Sequence, residues 1–234
     1  MADPNVEPAK LGDPSRFEDD VTALARALRT AEEADDELRR RVESVVGELQ
    51  DLLAEANGGH APIDTRTGGT ITPLAPEPER IELADIAHAL SNLSRFAGQG
   101  KHFHSVARHS VHVSREVEAR DGSRAAQRWG LLHDASEAYL SDVPAPVKRS
   151  LPGYTAAERR LQAAVRDAVE LELTTEDERL VDAADGAIGR YELAVHFPSE
   201  RREKPQLEVA PAEIDPDADP KALFLERARE LNLE

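Results

Sequence analysis

The chain has 234 residues, 40% of them hydrophobic, with 46 acidic against 29 basic side chains, a formal net charge of −17 and no cysteine. This length and apolar content suffice for one core with extensions, while the charge repels long polyanions and excludes long nucleic acid as the natural partner. Disulfides and thiolate ligands are excluded too; with no bilayer-length apolar run and no signal-like start, a cytoplasmic protein without a membrane partner is expected.

Residues 1–15, rich in Pro, Asp and Gly, read as a disordered leader. From Phe17 the apolar positions Val21, Leu24, Leu28, Leu38, Val42, Val45, Leu49 and Leu52 recur at helical spacing, predicting a helical extension over 16–57. Its stripe suits docking on the core or the seam of a homodimer. Asn57-Gly58-Gly59 ends it with residues that tolerate positive φ. The Gly- and Pro-rich stretch 58–80, with Thr70-Ile71-Thr72 inside it, predicts a short β-hairpin or strap.

Helical periodicity resumes at Ile81 and pauses at Gly98-Gln99-Gly100. It returns over about 103–119, 123–140, 154–172, 176–196 and 220–231. Pro144, Pro146 and Pro152 break the chain after the second of these, where a loop can carry Asp142 and Lys148 over a site. Residues 201–219 read as an acidic linker and 220–234 as a final helix. The fold class is all-α apart from the strap.

The most informative residues are the neighbours His133 and Asp134, in Trp129-Gly-Leu-Leu-His-Asp-Ala-Ser-Glu137. An imidazole beside a carboxylate fills an apolar helix poorly but offers nitrogen and oxygen to one divalent ion. His109, and Asp182 or Asp185 three apart on one helical face, offer further ligands. These positions are too far apart in sequence for a local finger, so only a folded bundle can gather them.

The stretches Ile81-Glu-Leu-Ala-Asp-Ile-Ala-His-Ala-Leu-Ser-Asn-Leu-Ser-Arg-Phe96, Ser105-Val-Ala-Arg-His-Ser110 and Leu131-Leu-His-Asp-Ala-Ser-Glu-Ala-Tyr-Leu-Ser-Asp-Val-Pro-Ala-Pro-Val-Lys148 resemble the HD-domain metal-dependent phosphohydrolases. The resembled branch contains 5′-deoxynucleotidases and phage-type nucleotide phosphohydrolases. The resemblance covers residues 62–200 and implies an HD-domain helical bundle with its core over 81–200. It also implies metal ligands at His109, His133, Asp134 and Asp185. Glu137 and Asp142 become the acid-base candidates, Arg95 and Lys148 the phosphate-binding cations, and Phe96 the aromatic for base or sugar, where the family often carries Trp.

Mixed imidazole and carboxylate ligation suits one divalent ion, Mn, Co, Fe or Zn in preference to Mg. His102, His104 and His112 keep a second ion in view. The expected activity is hydrolysis of a small phosphorylated substrate, a 2′-deoxynucleoside 5′-monophosphate first. A triphosphohydrolase or pyrophosphohydrolase is the enzymatic alternative, and a non-catalytic nucleotide-binding regulator the alternative of another class.

Overall fold

The computed structural model of the chain describes residues 44–45, 47–49, 51–52, 60–148, 151, 153–197, 199, 202–211 and 217–233. The leader 1–15, nearly all of the extension 16–57 with its proposed homodimer seam, and the Asn57-Gly58-Gly59 cap lie outside them. So does Pro152. The chain divides into two compact units, Met1–Ala61 with Pro146–Arg159, and Pro62–Ala145 with Arg160–Glu234.

The larger unit begins with the strap, where strands β1 (Ile63–Asp64) and β2 (Thr70–Ile71) pair antiparallel with Ile63 opposite Ile71. Buried Asp85, on helix α1 (Leu83–Asn92), accepts hydrogen bonds from the amide and hydroxyl of Thr67, both at 2.8 Å. The hairpin expected from sequence is thereby pinned to the first core helix.

Helix α2 (Val106–Ala119) is the centre of the bundle. Its apolar side, Val106, Ala107, Val111, Val113 and Val117, is buried. Around it pack α1, α3 (Arg124–Leu132), α7 (Thr175–His196) and α8 (Pro220–Glu230). Between α3 and α7 in the chain lie the short α4 (Glu137–Leu140) and α5 (Ala145–Lys148), then α6 (Tyr154–Ala168). Start signals in the sequence fix these helices. Ser105 and Ser123 accept from the amides of Arg108 and Ala126, Thr174 and Asp177 form a reciprocal capping box, and Asp219 caps α8 ahead of Pro220. Each such cap stabilises its helix by about 1 kcal/mol.

Two junctions bind the bundle. Gly130 lets α3 approach α2 closely, since a Cβ there would stand 3.0 Å from Ser114 Cα. Arg227, 2% exposed on α8, donates from Nε to Ser114 Oγ at 2.9 Å, while that hydroxyl donates to the Gln127 carbonyl at 2.8 Å. The acidic stretch before α8 is also held, because the amides of Glu208 and Val209 donate to the buried Glu116 carboxylate at 3.2 and 3.0 Å.

The expected helix 123–140 is two helices, α3 and α4, separated by a turn over 133–136 with bonds from Ala135 N to Leu132 O and from Glu137 N to Asp134 O. The helix expected over 154–172 ends at Ala168, and Glu170 takes a positive φ of 50°. Among the described residues no helix is long and apolar enough to cross a membrane.

In the smaller unit, Lys148 Nζ lies 2.5 Å from Glu158 Oε1 and 5.7 Å from the centre of the Tyr154 ring.

Candidate metal centre

Packing of α2, α3 and α7 around one core brings His109, His133, Asp134 and Asp185 together. His109 lies one turn inside α2, His133 at the end of α3, Asp134 in the tight turn that follows, and Asp185 midway along α7. His109 Nε2 lies 3.0 Å from Asp185 Oδ1 and 3.6 Å from Asp134 Oδ2. His133 Nε2 lies 3.4 Å from Asp134 Oδ2 and 3.8 Å from Asp185 Oδ1. Donor atoms on an ion with bonds of about 2.1 Å lie roughly 3.0 to 3.4 Å apart, so these separations fit one ion after small side-chain adjustments.

The second nitrogen of each imidazole explains why the first is available. His109 Nδ1 donates to Glu192 Oε1 at 3.0 Å, and His133 Nδ1 donates to the Gly130 carbonyl at 2.9 Å. Both acceptors can only accept, so each ring keeps a proton at Nδ1 and turns its Nε2 inward, towards the carboxylates. Both Nε2 atoms are buried without a hydrogen-bond partner. Gln162 further fixes the turn by donating to the His133 carbonyl at 3.0 Å. The centre opens on the side of Asp185, whose side chain is 44% exposed.

The electrostatics suit a cation. Burial pulls the His133 pKa down, but Asp134, Asp185 and the Gly130 carbonyl outweigh it and hold the imidazole at about 9. His109 is raised as well, burial and Arg95 opposing and Glu192 and Asp185 prevailing. Burial would lift Asp185, yet the two imidazoles hold it well below the usual carboxylate range. A divalent ion can take the place of that pair of ring protons.

Arg95 borders the ligands. Its Nε lies 2.9 Å from Glu192 Oε2 and its NH1 3.6 Å from Asp134 Oδ2. Burial opposes its charge, but Glu192, Asp134, Asp142 and Asp185 outweigh that and raise its pKa. It enters a turn in which Phe96 and Ala97 both adopt positive φ, 61° and 50°. Such left-handed residues cost roughly 1 kcal/mol or more each. Packing of the Phe96 ring on His196 and Phe197, both at 5.4 Å, offsets part of that cost. Phe96 therefore serves first to hold the turn that aims Arg95.

Glu137, 3% exposed, opens α4 just after the ligand turn, and Asp142 acts on Arg95 through its charge. Lys148 belongs to the other compact unit.

Glu192 stands two helical turns after Asp185 on α7 and so shares its face, but sequence reasoning gave it no role in the site. Its carboxylate accepts from His104 Nε2 at 2.9 Å as well as from His109. Burial opposes its charge, yet His109 and Arg95 hold it ionised well below the usual range. His196, in the last turn of α7, is 6% exposed, with its pKa lowered by burial and by His104 and His102.

No family model matches the chain. Among its relatives are two curated bacterial proteins, both named as uncharacterized. YfdR of Escherichia coli is 46% identical over 87 residues, which cover 37% of this chain and 46% of that protein, so the chain spans about half the length of that relative. RCAP_rcc00048 of Rhodobacter capsulatus is 39% identical over 134 residues, 54% of this chain and 68% of that protein. On that likeness, which spans two thirds of the relative, the chain belongs to the same family as the Rhodobacter capsulatus protein RCAP_rcc00048.

Proposed function

We propose that the chain is an HD-type metal-dependent phosphohydrolase that cleaves the phosphate ester of a small nucleotide, a 2′-deoxynucleoside 5′-monophosphate before others. The observation that carries this reading is the pair of buried Nε2 atoms on His109 and His133, each turned inward by a bond at its own Nδ1 and each facing Asp134 and Asp185. A divalent ion held by these four side chains would supply Lewis-acid polarisation of the ester and a more acidic water.

The chain's own residues account for the rest. Arg95 keeps a permanent positive charge at the rim, and its fork can exchange a carboxylate for two phosphate oxygens. Glu137, buried beside the ligand turn, is the candidate to carry a proton between the attacking water and the leaving 5′-oxygen, with Asp142 as its alternate. The P–O bond to the nucleoside breaks, the water oxygen bonds to phosphorus, and the proton ends on the released hydroxyl. Phe96, beside Arg95, completes the proposed substrate contacts within this unit. The net charge of −17 fits a small substrate drawn in by local cations and disfavours a polymer.

The test is a screen of the purified full chain with Mn²⁺, Co²⁺, Fe²⁺, Zn²⁺ and Mg²⁺ against deoxy- and ribonucleoside mono-, di- and triphosphates. Inorganic phosphate from deoxynucleoside monophosphates, abolished by chelation, is expected. Pyrophosphate or triphosphate release would move the reaction to another phosphorus, and tight nucleotide binding without any turnover would replace the enzyme with a sensor.

A further inference from the structure

Behind His109, on its Nδ1 side, lies a second group of metal-ligating side chains. His104, His112 and Glu192 each present a ligand atom, all within 4.8 Å of one another. They are 9%, 5% and 3% exposed. We propose that these three residues form a second divalent transition-metal site, separate from the first and divided from it by the imidazole of His109.

Three observations carry the assignment. His112 projects from α2 into the bundle with both ring nitrogens buried and without a hydrogen-bond partner. A buried polar nitrogen left unsatisfied is costly, and an ion coordinated by one of these removes part of that penalty. Second, the donor set is two imidazoles and one carboxylate, the combination that zinc and related ions take in three-ligand protein sites with a further position open. Third, Glu192 has the capacity for both roles. Its Oε1 accepts from His109 Nδ1 and from His104 Nε2, and Oε2 faces Arg95. The ion replaces the proton that His104 now shares with Oε1, leaving the bond to His109 in place.

A row of imidazole rings runs from the surface to these ligands. His102 is exposed, its ring lies 4.5 Å from that of His196, and the His196 ring lies 5.2 Å from that of His104. The backbone at Gly100 packs against this row, since a Cβ there would stand 2.9 Å from His196 Nδ1. An ion captured at His102 can pass inward by ligand exchange without crossing apolar core. The second ion fixes Glu192, and Glu192 fixes the ring orientation of His109, so the site acts as a structural support for the first.

The assignment does not depend on the chain being a phosphohydrolase. Full-length protein stripped by chelator is titrated with Co²⁺ and with Zn²⁺, then dialysed and its metal content measured by elemental analysis, with visible absorption recorded for Co²⁺. Two ions per chain are expected. His112→Leu and, separately, His104→Phe should each retain one ion, and His133→Ala should retain the other. Combining His112→Leu with His133→Ala should leave none. The Co²⁺ absorption of the second site should vanish in His112→Leu and persist in His133→Ala. One ion per chain in the wild type, or two in both His112→Leu and His104→Phe, would overturn the proposal. Because two variants of different shape probe the site, misfolding of either leaves the other to decide.

Discussion

Stripping the metal and raising the pH should expose the charge arrangement around His133 as a loss of stability. In the metal-free fold its imidazole is held at about 9 against an ordinary 6.5, so its interactions are fully present below 6.5 and are lost as pH rises through 9. Two and a half decades of proton affinity at about 1.4 kcal/mol each give roughly 3–4 kcal/mol. The side chain is 11% exposed, so solvent screening removes little of this. For a domain of this size the loss corresponds to a fall in Tm of roughly 6–16 °C. His109, also raised, acts in the same direction. His112, depressed to about 3 by burial, contributes only below 6.5, where stability falls as the pH is lowered. The assay is thermal denaturation followed by circular dichroism at steps from pH 6.5 to 9.5, with and without saturating metal. Metal-loaded protein should be nearly flat across the window, because its ligand imidazoles are already neutral. Metal-free His133→Gln should lose most of the slope. A metal-free wild type whose Tm stays constant from 6.5 to 9.5, or a His133→Gln variant with the same slope, would refute the reasoning.

His133→Ala and Asp134→Ala should each lose the ion between His109 and Asp185 and all hydrolysis, with metal content as the direct readout. Glu137→Gln should keep both ion content and circular dichroism while turnover falls about 10²-fold, the usual scale for losing an acid-base group; an unchanged kcat would make it a packing residue. Arg95→Lys should raise KM or lower kcat for nucleotides at constant metal content, since lysine keeps the charge but cannot bridge two oxygens. Thr174→Ala breaks one side of the capping box on α7 and should cost about 1 kcal/mol in denaturant unfolding, with metal content unaffected.

The helices were legible because their apolar positions repeat at helical spacing and their starts carry Ser105, Ser123, Thr174 and Asp219. The break after Leu132 was not, because the next residues, His133, Asp134, Ala135 and Ser136, contain neither Gly nor Pro to mark a turn. The interruption matters to the site, since it lets adjacent side chains converge that a straight helix would point about 100° apart. Asp185 was distinguished from Asp182 by resemblance, and spacing alone left both open. Glu192 was hidden for a different reason. A glutamate on a long helix is ordinarily solvated, and only tertiary packing showed this one beneath two imidazoles and a guanidinium. The left-handed pair Phe96-Ala97 had no signal at all, as neither residue favours that region.

The contact of Arg227 with Ser114 and Gln127 has a consequence for how the protein matures in the cell. Helix α8 follows every proposed ligand in the chain, yet Phe224, Ala228 and Leu231 are part of the same buried cluster as Val111, Leu131 and Leu132. During synthesis the helices bearing His109 and His133 emerge first, with Ser114 still lacking its guanidinium partner and the apolar surface beneath α8 uncovered. A nascent chain stalled before Pro220 would therefore bear every proposed ligand while the core face that Phe224, Ala228 and Leu231 cover stayed open to water.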